Sequence, residues 1–165
     1  MNKWPRVALG EICSTTSGGT PSRSNSGNFG GDIPWVKSGD LTDGLVEKVT
    51  EFITETALNN SSAKLFPNGT LLLAMYGATV GKLGVLAMDA ATNQAVCGIT
   101  VSQSILRDYL FHFLISQRSE LISQSFGGAQ PNISQGIIRE IEVPLPPIDE
   151  QRWIVALLDR ATDIR

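Results

Sequence analysis

The side chains of this chain that could do chemistry are hydrogen-bonding groups on short segments rich in small residues. These segments are residues 18–23, 35–40, 76–82, 93–94 and 130–134, and they offer hydroxyls, carboxamides, lysines and a guanidinium. Carboxamides can pair with adenine, Arg or Lys with guanine, and hydroxyls or backbone N–H groups with phosphate. The inventory therefore favours recognition through hydrogen bonds over covalent chemistry.

No set of residues for catalysis or metal binding is recognisable in the sequence. His112 is the only histidine, and its place between Phe111 and Phe113 in a helical pattern favours a structural role. No Cys/His cluster has the spacing of a zinc site. Residues 77–82 resemble a phosphate-binding loop only superficially, because neither Ser nor Thr follows Lys82. We therefore expect a protein without enzymatic activity, metal or cofactor.

The charge is distributed unevenly along the chain. There are 13 basic and 16 acidic residues, which give a net charge of −3. The stretch 40–60 holds five acidic residues and one basic residue, whereas residues 1–39 and 61–139 are mildly basic. Nucleic-acid-binding domains are usually basic overall. Charge alone therefore does not indicate a nucleic-acid partner, although an asymmetric surface remains possible.

Length and composition predict one domain with a short appendage. The 165 residues, 42% of them hydrophobic, suffice for a core without a disulfide or metal. Cys13 and Cys97 form no CxxC pair, so we expect reduced thiols. No apolar run approaches the ~20 residues of a membrane helix, and the N-terminal residues do not resemble a signal peptide. We therefore expect a cytoplasmic protein with no membrane partner.

The elements that must position these groups are read from the hydrophobic pattern. A long polar loop is predicted at 15–32, and a helix or turn at 55–66. Residues 105–126 carry an apolar helical stripe that Gly127 ends. A second helix begins near Pro147, where proline and acids suit a helix N-terminus. Strands are predicted at 33–41, 45–54, 71–75, 80–88, 94–101 and 137–145. The fold class is therefore α/β.

The second helix carries apolar residues at the spacing of a coiled-coil seam. The seam residues are Ile154, Leu157, Leu158, Ala161 and Ile164, with Trp153 beside them. The same spacing also suits an ordinary amphipathic helix that packs on its own domain. The sequence alone leaves both possibilities open.

Five segments in order resemble one protein family. They are GGTPS at 18–22, GGDIPWVKSGDL at 30–41, GTLLLAMYGATVGKLGVL at 69–86, ATNQAV at 91–96, and GGAQPNISQGIIREIEVPLPPIDEQRWIVALLD at 127–159. In this they resemble the DNA specificity (S) subunit of type I restriction-modification enzymes. The last segment is the most specific, because it joins a loop ending to PLPP-x-x-EQ and the seam helix.

The resemblance implies a target recognition domain at 1–146, built on a curved mixed β-sheet with a packed helix. Residues 147–165 would begin a protruding, coiled-coil-type spacer helix that is truncated. The implied partners are double-stranded DNA, the methyltransferase subunits and, through them, the restriction subunit. A full subunit is more than twice this long, so we expect a fragment or a half-subunit. Its spacer helix would pair with a second one, from its own second half or from another copy.

The residues expected at the DNA are hypotheses, since recognition loops differ with the site that each member of the family reads. Arg23, Lys37 and Lys82 are expected to contact phosphate or guanine. The side facing DNA is expected to hold Thr20, Ser22, Tyr76, Thr79, Gln130, Asn132 and Ser134. The alternatives are a β-rich module for a carbohydrate or protein ligand, and a stand-alone nuclease or methyltransferase. Retention on DNA that is lost at moderate salt would distinguish the first from a DNA reader.

Overall fold

The computed structural model describes residues 4–124 and 132–163, and within them the chain has the α/β fold expected from its sequence. The strands are β1 (Arg6–Ala8), β2 (Cys13–Ser17), β3 (Phe29–Val36), β4 (Gly44–Val46), β5 (Phe52–Ile53), β6 (Leu65–Phe66), β7 (Leu71–Ala74), β8 (Leu83–Leu86), β9 (Ala90–Thr92), β10 (Val96–Val101) and β11 (Glu142–Pro144). The α-helices are α1 (Leu9–Ile12), α2 (Glu55–Asn59), α3 (Arg107–Gln124), α4 (Gln135–Glu140) and α5 (Ile148–Asp163).

The strands form two mixed sheets and a two-stranded ribbon. The larger sheet has the order β2-β10-β7-β8-β4, in which only β4 and β8 are parallel. The smaller sheet has the order β5-β3-β9-β6, in which β3 and β9 are parallel. The ribbon pairs β1 with β11, near the two ends of the chain. The expected curved mixed sheet is thus divided into two.

The central strands of the larger sheet are buried on both faces. Along β7, Leu71 and Leu73 belong to the core that includes α3, whereas Leu72 and Ala74 belong to the core shared with the smaller sheet. Successive side chains of a strand point to opposite faces. The uninterrupted apolar run of β7 therefore follows from its place between a helix layer and a second sheet.

The smaller sheet has a core of its own on its outer side. Trp35 and Ile53 lie there with Ala57 of α2, and Trp35 is only 1% exposed. Its indole N–H donates to the Gly19 carbonyl at 3.1 Å. The polar loop after β2 is thus fixed to the outer face of this sheet.

Two parts of the predicted secondary structure are wrong in detail. Residues 137–145 do not form one strand, because the Ser134 hydroxyl caps a helix by accepting from the Ile137 N–H, and β11 begins only after that helix. Residues 45–54 form two short strands, β4 and β5, which lie in different sheets. The short strands β6 and β9 were not predicted, since runs of two or three residues carry no periodic signal.

Helix α5 is attached to α3 along one side. The buried Gln151 side chain accepts from the Leu106 N–H at 2.8 Å and donates to the Ser104 and Pro146 carbonyls. Further along, Asp159 contacts His112 of α3 at 2.8 Å. His112 therefore has the structural place expected for it. The helix follows its own domain as far as Asp159 rather than leaving at its first turn.

The predicted seam residues of α5 divide between two faces. Ile154 packs against the domain core, as the amphipathic alternative requires. Leu157 and Leu158 are 45% and 39% exposed, Ala161 is exposed, and Trp153 is 65% exposed. Ile164 lies outside the described residues. The exposed apolar stripe thus includes Trp153, which lies one turn before Leu157.

Both cysteines are buried and free. Burial raises the pKa of Cys13 to about 11 and that of Cys97 to about 12. The thiols are therefore protonated near neutral pH, which makes them poor nucleophiles. Among residues 4–124 and 132–163, no helix is long and apolar enough to cross a membrane.

An ionic cluster joins α3 to the larger sheet. Asp43, at a left-handed φ of 65° just before β4, accepts from Lys82 Nζ at 2.7 Å and from the Leu83 N–H at 3.0 Å. Arg118 of α3 also donates to Asp43, and its Nε donates to the Gly81 carbonyl at 2.9 Å. Burial raises the pKa of Asp43, but these donors outweigh it and hold the pKa below its usual value.

We predict that Gly98→Ala destabilises the fold. Gly98 of β10 faces the smaller sheet, and a Cβ there would overlap the Phe66 ring between the sheets. Overpacking of this kind costs about 1–3 kcal/mol, which urea unfolding measures. The matched control is Gly44→Ala in β4, where a Cβ meets open space. Equal unfolding midpoints for the two variants would contradict the packing described.

We predict that Asp43→Asn lowers the free energy of unfolding by about 1.5–3 kcal/mol at pH 7, because it removes a charged acceptor. Asn tolerates the left-handed backbone, so the change tests the charge. A lowered folded-state pKa means that the stabilisation is present above the unfolded pKa and is lost as pH falls through the folded pKa. The difference from the wild type should therefore be constant between pH 5 and 7 and shrink below about pH 4. Asp32→Asn, at an exposed position of β3, is the control and should change stability little.

Candidate functional site

The segments singled out in the sequence meet at one end of the two sheets. Strand β10 begins where β2 and β7 end, since Cys97 pairs with Ser17 and Val96 with Ala74. Strands β3 and β9 are parallel and end together, with Val36 beside Thr92. A backbone hydrogen bond from the Gly19 N–H, just after β2 of the larger sheet, to the carbonyl of Thr92 in β9 connects the two sheets at this end. We call this end the loop edge and define it by residues 18–23, 37, 76–82, 93–94 and 132.

Gly18 and Gly19, which directly follow β2, allow the chain to pack closely against the end of β9. The Gly18 N–H donates to the Val96 carbonyl at 3.1 Å, and the Gly19 N–H to the Thr92 carbonyl at 2.9 Å. A Cβ on Gly18 would overlap Thr92, and one on Gly19 would overlap the backbone at residues 62–63. The chain is thus pressed against the end of β9. This contact positions the following residue, Thr20, at the loop edge.

Two of the predicted residues, Thr20 and Tyr76, contact the Gln94 side chain, and a third, Asn132, pairs with Tyr76. The Thr20 hydroxyl donates to the Gln94 carboxamide oxygen, and Tyr76 forms a side-chain hydrogen bond with Gln94. Asn132 forms an isolated antiparallel bridge with Tyr76, and the Ile133 N–H donates to the Met75 carbonyl at 2.7 Å. Burial raises the pKa of Tyr76, and the bond to Gln94 only partly opposes this. The phenol is therefore neutral and can both donate and accept.

Two predicted cations share one carboxylate. Arg23 lies 2.8 Å from one oxygen of Glu51, and Lys37 Nζ lies 2.9 Å from the other. The Arg23 guanidinium also lies 4.5 Å from the Phe29 ring centre and 5.2 Å from that of Trp35. The hydrogen bond from Lys37 lowers the pKa of Glu51, and the bond from Arg23 adds to it. Glu51 is thus a carboxylate at neutral pH.

The connection from β7 to β8 is a compact loop fastened at both ends. Gly77 and Gly81 have φ values of 87° and 79°, which side-chain-bearing residues rarely adopt. The Gly81 N–H donates to the Ala74 carbonyl, and the Ala74 N–H donates to the Lys82 carbonyl, both at 2.8 Å. Thr79 is half-buried within this loop. Lys82 ends the loop and is engaged by Asp43.

The remaining predicted residues stand apart from these groups. The Ser22 hydroxyl lies 2.7 Å from that of Ser24 on the exposed loop. The Ser134 hydroxyl is occupied as a helix cap. Gln130 lies outside the described residues.

Four residues that take part in these contacts are missing from the predicted site residues. Gln94 lies within the loop edge, and Glu51, Asp43 and Arg118 contact it from neighbouring elements. Gln94 had a signal, since its carboxamide stands in the ATNQAV motif. The other three had none, because an acid in a polar stretch and an arginine in a helix become visible only through their tertiary partners.

The loop edge suits recognition of a polar ligand. It presents a neutral phenol, a hydroxyl and carboxamides beside two paired cations. Among residues 4–124 and 132–163, no group of three His, Cys, Asp or Glu side chains could hold a metal. The groups present can donate to or accept from a ligand.

Comparisons with known proteins agree on one family. The model of the type I restriction modification DNA specificity domain matches residues 1–165. The EcoR124I/EcoR124II specificity subunit of Escherichia coli is 30% identical over 158 residues, which are 92% of this chain and 39% of that protein. The MjaIX specificity subunit of Methanocaldococcus jannaschii is 29% identical over 98% of this chain and 38% of its own length.

Solved structures show the same fold. A chain from a study of complex assembly and conformational transition of the type I R-M system superposes with a TM-score of 0.77, at 26% identity, over 97% of this chain and 38% of its own. The HsdS subunit from Thermoanaerobacter tengcongensis gives 0.78 at 23% identity, over 97% of this chain and 37% of its own.

The chain spans about two fifths of the length of the relatives it matches. The family model, in contrast, covers it from end to end. This chain belongs to the family of type I restriction modification DNA specificity domains.

Proposed function

We propose that this chain reads one half of a split DNA target as a non-catalytic part of a type I restriction-modification specificity subunit. It would direct methylation and cleavage by partner subunits. The single observation that carries the proposal is the convergence of the polar segments on the loop edge. No observation on the described residues favours the alternative of a carbohydrate or protein ligand.

The chemistry of the loop edge fits base edges in the major groove. Gln94 and Asn132 are the residue type that pairs in bidentate fashion with adenine, and Tyr76 and Thr20 can meet donors or acceptors. Arg23 and Lys37 are placed to meet phosphate or guanine. We infer that these six residues form the centre of the contact surface.

Three predicted residues take supporting parts in this proposal. Lys82 is held by Asp43 and so can contact DNA only while it shares that carboxylate. Thr79 stands on the same fastened loop. Ser134 caps the helix that follows Asn132 and fixes where Asn132 lies. Gln130 and Ser22 remain predictions of direct contact.

The proposal also divides the chain into two parts and predicts the partners of the second part. Residues 1–146 would be the target recognition domain, and 147–165 the start of a spacer helix. Helix α5 has 16 residues, or about 24 Å of helix, against ~34 Å between half-sites one DNA turn apart. A second spacer helix, from another copy or from a second half, would complete the span. The assembly would bind methyltransferase subunits and, through them, the restriction subunit in the cytoplasm.

The DNA-reading function predicts that the chain enriches a short motif from a pool of random double-stranded DNA. A single module buries only ~600–1,000 Å², so micromolar protein and low salt are appropriate. Gln94→Ala should relax the choice of base at one position, because a bidentate contact discriminates by about 1–3 kcal/mol. Lys37→Ala should weaken binding to all sequences and flatten the salt dependence. The measurement is sequencing of bound DNA with anisotropy titrations.

The control for this experiment lies at the far end of the same sheet. Thr100 is exposed on β10 and pairs with Ser14, at the opposite end from Gln94. Thr100→Ala should leave the enriched motif and the affinity unchanged. A pool that emerges without enrichment, or a motif that Thr100→Ala alters as much as Gln94→Ala, would refute the reading surface.

The spacer proposal predicts that the chain self-associates through the exposed stripe of α5. Leu157→Glu places a charge in the middle of the stripe and should shift the chain to monomer in sedimentation equilibrium. Ala156→Glu adds the same charge on an exposed position ~100° around the helix and should have a smaller effect. An unchanged mass distribution in Leu157→Glu would exclude pairing through this face.

A further inference from the structure

Glu51 occupies a place at the loop edge that the DNA-reading function does not explain. Its backbone is fixed, since the Glu51 carbonyl accepts from the Trp35 N–H at 3.0 Å. Its side chain is thereby held beside the two cations proposed to meet DNA. A carboxylate in this position repels phosphate unless it moves.

The contacts of Glu51 have the form of an anion-binding site. One carboxylate oxygen meets Arg23 at 2.8 Å and the other meets Lys37 at 2.9 Å. A phosphate also presents two non-bridging oxygens, and Arg and Lys are its common partners. The Arg23 guanidinium rests over the Phe29 and Trp35 rings, which hold it in place independently of Glu51. The Arg23 guanidinium would therefore remain in position if the carboxylate left, and the Lys37 backbone would stay fixed by the bond from its N–H to Asp40 at 2.8 Å.

Departure of the carboxylate is feasible because the cluster is partly open to solvent and because the Glu51 oxygen beside Arg23 is buried without a well-aligned hydrogen bond from any described residue. The side chains of Arg23, Lys37 and Glu51 are 57%, 33% and 28% exposed. Exposed ion pairs contribute little net free energy, since each charge is nearly as well solvated by water. Another anion can therefore replace Glu51 at small cost. The acid-rich stretch 40–60, which supplies Glu51, is otherwise unexpected in a nucleic-acid reader.

We propose that Arg23 and Lys37 form a phosphate-binding site that Glu51 fills in the free protein and that a DNA phosphate takes over on binding. The inference rests on the proposed DNA-reading function and adds an internal competitor to it. Because every DNA must displace the same carboxylate, Glu51 lowers affinity for all sequences alike. Base contacts at Gln94 and Tyr76 then carry a larger share of the total binding free energy.

The exchange has a signature in the salt dependence. Each phosphate neutralised releases bound cations and contributes about −0.9 to the slope of log K against log salt. In the wild type the displaced Glu51 carboxylate regains a counterion, which offsets part of this release. Glu51→Gln, which has nearly the same shape, removes the offset. Its slope should therefore be steeper, by less than the ~0.9 that one phosphate contributes.

The experiment compares Glu51→Gln with the wild type on a random-sequence duplex over a range of salt. Glu51→Gln should bind about two- to fivefold more tightly at low salt, which corresponds to the loss of one exposed ion pair. Glu47→Gln makes the same change of charge at an exposed residue four positions away and is the control. In a background of Arg23→Ala with Lys37→Ala, the effect of Glu51→Gln should fall to that of Glu47→Gln.

A second probe separates this inference from the DNA-reading function. Titration with inorganic phosphate, followed through the Arg23 side-chain NMR signal, should show binding to Glu51→Gln that is stronger than to the wild type. Phosphate binding without binding of any duplex would support the anion site and refute the DNA reader. Duplex binding with equal affinity and slope in Glu51→Gln and Glu47→Gln would overturn the anion site alone. Altered base choice in Glu51→Gln, with an unchanged slope, would overturn it in favour of a direct base contact.

Discussion

The structure depends on the burial of one sheet on both of its faces. The central strands β7 and β8 of the five-stranded sheet are buried along their whole length between α3 and the smaller sheet, so the chain can present polar residues there only beyond the strand ends. At one end of the sheets, the segments that follow β2, β7 and β9 lie beside the end of β3. A backbone sandwiched in this way is rigid, because displacement of any strand would open both cores. The polar residues of the loop edge are thus carried by a scaffold that holds their relative positions.

The uneven distribution of charge along the sequence is explained by ion pairs at the same end of the sheets. The acid-rich stretch lies against the basic loops rather than on a separate surface, since Glu51 meets Arg23 and Lys37, and Asp43 meets Lys82 and Arg118. A negative net charge is therefore compatible with a site that binds an anion. The two carboxylates differ in their surroundings. Asp43 also accepts from a backbone N–H and fastens a loop, whereas Glu51 has an exposed pair of cations as partners.

Much of the fold could be predicted from local pattern, and the site only in part. Strong periodic segments such as β7, β10 and α3 were found because burial imposes a regular spacing on long elements. The segment 137–145 was misassigned, because a serine cap at Ser134 outweighed a run of β-branched residues. Thr20, Tyr76 and Asn132 were chosen separately by residue type, and the structure brings them together. Glu51 and Arg118 could not be found in this way, since their roles exist only through partners distant in sequence.

The sequence by itself determined the class of fold, the family through its ordered motifs, and the kinds of side chain available for recognition. Those properties follow from residue type and spacing along the chain. The tertiary structure decided which groups share an edge, which cations are neutralised, and which face of α5 is exposed, with Ile154 turned toward the core and Trp153 away from it. These facts depend on contacts between residues far apart in the chain, and such contacts are fixed by the packing of whole elements rather than by local pattern.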